Sequence, residues 1–235
     1  MASKHPIPDT LHLYTYYRSS CSARLRIAVH LKGLSSPDTL TSTYISLIDG
    51  SHKKDDYVRQ NPSGTVPTLI ITTPLGKSTV ITQSIAALEY LEEAYPQLQP
   101  QLLPTDIAQR AKVRELVNIV ACDIQPPTNL NILTTISSLS GDRAAFAKRK
   151  MTEGLKAYEK LLEGCSGKYS VGDEITMADV CLQPAVWNAE RFGVDFSEIP
   201  LVKQVSDNLA EMDAFKKAHW RVQEDTPEEL RGESV

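Results

Sequence analysis

The chain has 235 residues, 41% of them hydrophobic and 23% charged, and a formal net charge of −4. That is longer than one typical domain and short for two large ones, with enough apolar residues for a sizeable core. A mildly acidic chain with no basic block carries no electrostatic footprint for nucleic acid or for an anionic membrane surface.

Residues 1–10 lack both the apolar core of a secretory signal and the arginine-rich amphipathicity of a transit peptide. No apolar run approaches a membrane span, so the expected location is cytoplasmic. In residues 11–16, Leu11 and Leu13 alternate with His12, which reads as a strand. It feeds a helix ending near 31, with Ser19, Ser20 and Ser22 crowding its start and Leu25, Ile27, Ala28, Val29 and Leu31 along it. Gly33 and Pro37 close that helix. Thr, Tyr and Ile in 39–47 suggest a second strand, and 49–60 a loop with a short irregular helix. Third and fourth strands follow at 68–72 and 78–81, separated by a Pro74–Gly76 turn. Ser84 is read as the cap of a helix reaching Tyr95.

A connector with proline and glutamine, 96–104, marks the boundary between a domain at 9–96 and a second at 104–223. The second domain reads as helical throughout, with stretches at 106–123, 129–139, 142–162 and 201–219. Pro126 and Pro127 must break the first of these, since neither has an amide to donate. Thr176 and Asp179 have the spacing of a capping box, with Ile175 and Val180 placed as its hydrophobic staple, a folding motif rather than chemistry. Pro184 should bend the helix that follows. The charged tail, 224–235, is expected to be loosely held. Four scattered cysteines, 21, 122, 165 and 181, form no Cys-x-x-Cys pair; that argues against a zinc site and a disulfide scaffold, and for a reducing compartment, and no metal is expected.

Three features of the first half fit one small-molecule site. The polar helix start at Ser19, Ser20 and Cys21 offers orphan amides and partial positive charge. Pro67, abutting the third strand, suits an edge position or a cis bond, which would leave the Val66 main chain able to pair with a peptide-like ligand. Gln83 and Ser84 form a second helix start suited to a carboxylate. Each is common alone; their order is not.

That order resembles the thioredoxin-like domain of glutathione transferases, and the helical half resembles their second domain. The stretch Ser19-Ser20-Cys21-Ser22-Ala23-Arg24-Leu25-Arg26-Ile27-Ala28 is similar to the zeta-class signature, as are Gln125-Pro126 with Asn129 and Asn188-Ala189-Glu190-Arg191-Phe192. The resemblance implies an α/β thioredoxin-like domain followed by an all-α domain, in a homodimer. It also implies isomerisation of maleylacetoacetate to fumarylacetoacetate in tyrosine and phenylalanine catabolism, with glutathione as an unconsumed cofactor. Conjugation of α-haloacids or other electrophiles, a cysteine-based thiol transferase and a non-catalytic interaction module are the competing readings. Rotation about a double bond requires a thiolate to add and leave, so the site must hold that thiolate and stabilise the enolate. Ser20 is expected to bond the thiolate, with Ser19 and Cys21 sharing the role; Cys21 is alternatively a nucleophile or a passive buried thiol. Family positions suggest His52, Val66, Pro67, Gln83, Ser84, Gln125 and Asn129 for glutathione, His52 standing where glutamine is frequent. Arg191 and Arg24 are the candidates for the dicarboxylate substrate, because a guanidinium fork matches a carboxylate, while Arg26 is read as structural. Ala23 replaces a frequent tryptophan, so an indole-sized wall is missing unless another side chain fills it.

Overall fold

The computed structural model describes residues 9–232. Residues 1–8, read above as free of a targeting pattern, and 233–235, the end of the charged tail, lie outside the described residues. The chain divides into two units: one runs to Gln99 and resumes at Lys217, and the other is Pro100–Lys216.

The first unit is built on four strands, β1 (Thr10–Thr15), β2 (Leu40–Tyr44), β3 (Thr68–Thr72) and β4 (Ser78–Ile81), in the order β2-β1-β3-β4. The β1–β2 pair is parallel and the other two are antiparallel. A parallel pair needs a crossover, and helix α1 (Ser20–Leu31) supplies it. Leu11 and Leu13 stand opposite Ile71 and Leu69 in register, so one face of the sheet is continuously apolar and buried. Helix α3 (Ser84–Ala94) packs on α1, burying Leu88 and Leu91 beside the layer that holds Leu25 and Ile27. Lys32, at the end of α1, pairs with Glu92 of α3 at 2.8 Å in the interior.

Strand β2 stops at Tyr44 rather than 47 because its partner β1 has ended; Ile45 N–H makes the last bond, to Thr15. The 49–60 segment holds a 3-10 turn, Ser51–Lys53, and helix α2 (Asp55–Val58). Ser84 proves to be the first helical residue, with Gln83 in the cap position, because the Ser84 hydroxyl is engaged elsewhere.

The second unit is helical: α4 (Ile107–Asn118), α5 (Leu130–Ser138), α6 (Arg143–Leu162), α7 (Met177–Arg191) and α8 (Pro200–Ala210). Helix α4 widens into a π-helical segment, Ile119–Ile124, before Pro126–Thr128 form a 3-10 turn, as the two prolines require. Asp106, Asn129 and Asp142 cap α4, α5 and α6 with their side chains. Asp179, fully buried, accepts from the Thr176 N–H at 2.8 Å, the Thr176 hydroxyl at 2.9 Å and the Ser170 N–H at 2.8 Å. Burial pushes its carboxyl up from the usual range while those donors pull it down. Ile175 and Val180 are both buried, as a staple demands. Helix α7 continues through Pro184.

Two further expectations fail. The 201–219 helix is two, α8 and α9 (Asp213–Ala218), broken at Glu211 and Met212, with Asp213 opening the second where a carboxylate meets the positive helix end. The tail is not loose: up to Arg231 it is hydrogen-bonded into the first unit, and Thr226 is buried.

Candidate active site

The connection from β1 to α1 is a tight turn in which Ser19 N–H bonds the Tyr16 carbonyl at 3.0 Å. Ser19, with extended backbone, caps α1 by accepting the Ser22 N–H at 3.1 Å. The first turn of α1 contains no acidic residue, so its positive end is not neutralised locally. Among the described residues the Ser20 hydroxyl has no protein partner, and Cys21, half-buried, is a free thiol. Ala23 is almost completely enclosed, so the smaller side chain sits in packed interior and opens no wall to solvent.

The second feature assembles beside this turn. The Val66–Pro67 bond is cis, and Val66 packs in one buried cluster with Tyr16, Tyr17 and Tyr57. Asn61, fully buried, donates to the Thr65 carbonyl at 2.7 Å and to Thr68 Oγ1 at 3.1 Å, and accepts the Ser63 N–H at 3.0 Å. The Tyr57 hydroxyl reaches the same Thr65 carbonyl and Thr68 Oγ1. With its loop braced from below, the Val66 main chain makes no hydrogen bond to another described residue and is left to a ligand. Gly64, at φ +55°, brings the loop against the His52 carbonyl, where a Cβ would lie at 3.1 Å. The His52 ring is half-buried in its 3-10 turn, with Nδ1 at 3.4 Å from the Ser46 carbonyl.

The third feature is joined to the first by Arg24. Its guanidinium, buried within α1, donates to Ser84 Oγ at 3.0 Å. Gln83 is exposed at the head of α3, whose first turn also has no acidic residue. Within the first unit the segments that carry these candidates touch one another: Val66 packs with Tyr16 and Tyr17, Arg24 of α1 bonds Ser84, and Gly64 lies against the His52 carbonyl.

Gln125 and Asn129 flank the Pro126–Thr128 turn of the second unit, and the Asn129 carboxamide oxygen is committed to the Ile132 N–H at 2.9 Å. Arg191 closes α7 on the surface, bonding Asn188 Oδ1 at 2.9 Å and lying over the Phe192 ring at 5.2 Å.

Arg26, read from the sequence as structural without a stated task, proves to be the group that fixes the β1–α1 turn. Arg26, buried, donates to Thr15 Oγ1 at 3.0 Å and to the carbonyls of Tyr16, Tyr17 and Ala218 at 3.3, 3.0 and 3.2 Å. Burial lowers its pKa to about 10, partly offset by the carboxylate of Asp225. Asp225 accepts the Tyr17 N–H at 2.8 Å. No local pattern announces this pairing, since 208 residues separate its partners.

Comparison with known proteins agrees with this geometry. Residues 18–94 match the family model for the glutathione S-transferase N-terminal domain, and residues 134–213 match that for the C-terminal domain. The chain is 50% identical over 221 residues to a maleylacetoacetate isomerase of Aspergillus fumigatus, covering 93% of this chain and 94% of that one. The holo structure of a maleyl pyruvate isomerase, a bacterial zeta-class glutathione S-transferase, superposes with a TM-score of 0.83 at 37% identity, over 92% of this chain and 100% of that one. A maleylacetoacetate isomerase of Anaeromyxobacter dehalogenans with glutathione bound in its active site gives 0.84 at 34% identity, over 94% and 99% of the two chains.

Proposed function

Because the chain belongs to the glutathione transferase family, in the zeta class of the maleylacetoacetate isomerases, we propose that it isomerises maleylacetoacetate to fumarylacetoacetate with glutathione as cofactor. The observation that carries the site assignment is the Ser20 hydroxyl, without a protein partner among the described residues, at a helix start free of acidic residues that follows the Tyr16–Tyr17 turn packed on Val66. These features fit a tripeptide thiol: a peptide edge for its backbone, a helix start for its carboxylate and a hydroxyl for its sulfur.

Bound glutathione supplies a thiolate whose reversible addition leaves the substrate's double bond single while it rotates. The chain's own residues do the rest. Ser20 donates to the sulfur, and the α1 terminus holds it as the anion. Ser19 keeps the terminus formed, and Cys21 supports it as a neighbouring thiol. Val66, next to Pro67, pairs with the cofactor backbone, Gln83 and Ser84 take its γ-glutamyl end, and His52 borders the same pocket. Gln125 and Asn129 keep, in this reading, the glutathione-binding role that the family resemblance gives them. Arg191 takes a substrate carboxylate; Arg24, the second sequence candidate for that role, is buried and instead adds positive potential beneath the cofactor end through Ser84. Cytosolic location and homodimerisation belong to the same proposal. Among the described residues, no helix is long and apolar enough to cross a membrane.

One assay tests the proposal: purified protein with maleylacetone, with and without glutathione. Trans product at constant glutathione is the expected result. Stoichiometric loss of glutathione would make the protein a conjugating transferase, and absence of glutathione binding would make it a non-catalytic module.

A further inference from the structure

We propose that Asp225 is a positioning residue for the catalytic turn, acting as the hook of a C-terminal strap, 217–231, that sets the angle at which Ser20 meets the cofactor thiolate. The proposal rests on the assignment of Ser20 above. The strap is a built element. Within it, the Gln223 carboxamide donates to the Lys217 and His219 carbonyls at 2.9 and 2.8 Å, and the Thr226 hydroxyl donates to the Trp220 carbonyl at 2.5 Å. Arg231 folds back on the Thr226 and Glu224 carbonyls at 3.0 and 2.9 Å. A strap so closed on itself presents Asp225 in a fixed place.

The turn it meets has few internal restraints. Between the end of β1 and the Ser19 cap, its own bonds are the Tyr16–Ser19 closure and the cap itself. Among the described residues its other hydrogen bonds come from Arg26 and the strap, while the Tyr16 and Tyr17 rings pack with Tyr57 and Val66. Arg26 takes the Tyr16 and Tyr17 carbonyls and the Ala218 carbonyl of the strap, while Asp225 takes the Tyr17 N–H. Trp220 packs against the Tyr16–Tyr17–Val66 cluster, so the strap also bears on the cofactor's peptide edge. Tyr17 lies three residues before Ser20, and a loss of its anchor is felt at the hydroxyl as a change of angle rather than loss of the fold.

The test compares Asp225→Ala and Asp225→Asn with wild type in amide hydrogen exchange, kcat, KM and the pH midpoint of enzyme-bound glutathione thiol ionisation. Asp225→Ala should speed exchange in the 17–22 peptide at least about tenfold with little change in 84–94. It should also lower kcat about fivefold or more and raise the thiol midpoint, with a smaller effect on KM. Asp225→Asn keeps an acceptor for the Tyr17 N–H and should restore kcat to within about twofold. Tyr95→Phe, which loses a hydrogen bond to Asp9 in the same unit, is the control for stability alone and should leave kcat and the midpoint unchanged. Unaltered kcat and midpoint in Asp225→Ala, or an asparagine variant no better than alanine, would overturn the proposal. A wild type without isomerase activity, but with the exchange response intact, counts against the assigned reaction and leaves the strap's hold on the turn supported.

Discussion

Arg24, enclosed within α1, donates to Ser84 Oγ at 3.0 Å and so joins the helix that carries Ser20 to the first turn of α3. The serine that would receive the cofactor carboxylate is therefore held from behind by a cation. Arg24→Met should weaken glutathione binding at least about fivefold and cost about 2 kcal/mol of stability, because it strands a buried hydroxyl and removes a charge behind the anion site. Calorimetric titration and urea unfolding read both; unchanged affinity would separate Ser84 from the cofactor. Arg24→Lys should not rescue, since an ammonium lacks the planar fork.

Adjacent serines divide the work. Ser19 Oγ is spent on the Ser22 amide, so Ser19→Ala should cost about 1 kcal/mol of stability, with turnover reduced less than by loss of its neighbour. Ser20→Ala should cut turnover at least about tenfold with stability nearly unchanged. A normal rate in Ser20→Ala would remove Ser20 from its role.

Gly154, inside α6, lies against the π-helical segment of the same unit, where a Cβ would come within 2.3 Å of Ile124 Cγ1. Glycine to alanine in a free helix gains about 1 kcal/mol; here Gly154→Ala should lose about 1–3 kcal/mol. Urea unfolding of the single and double variants with Ile124→Ala should show a coupling near 1 kcal/mol, and strict additivity would mean the contact is harmless.

His219 provides a pH signature. Burial, with Arg221 and Arg26 adding repulsion, lowers its pKa from 6.5 to about 4, and Nδ1 accepts the Arg221 N–H at 3.2 Å. The unfolded chain then binds more protons than the native one between those values, so stability should rise with pH from about 4 to 6.5 and be fully present above. His30, lowered in the same direction by burial and by Lys217 and Arg26, adds to the slope. In urea midpoints measured against pH, His219→Asn should flatten the rise without abolishing it. An unchanged slope would mean that His219 protonates freely in the folded protein.

Much of the fold was legible because its signals are local. The strands at 68–72 and 78–81 coincide with β3 and β4, since alternation and flanking turns are read within a few residues. The helix starts at 129 and 142, which the structure caps with Asn129 and Asp142, and the Thr176–Asp179 box are likewise short-range chemistry. The miscounted last helix failed for the opposite reason: apolar spacing runs through Glu211 and Met212, where the chain nevertheless turns before a second helix opens at Asp213.

The order of the polar helix start, the proline before β3 and the Gln83–Ser84 step was set by sequence alone, and with it the family, the cofactor class and the expected hydroxyl at Ser20. Tertiary structure decided which groups hold those pieces in place. Asn61 and Tyr57 brace the Val66 loop, Arg24 backs Ser84, and Arg26 with Asp225 clamps the turn. The physical reason is separation. A capping serine and its amide are three residues apart, whereas a buried guanidinium or carboxylate finds partners wherever folding leaves main-chain groups unpaired, and the tail that completes the clamp carries only the pattern of a loose, charged end.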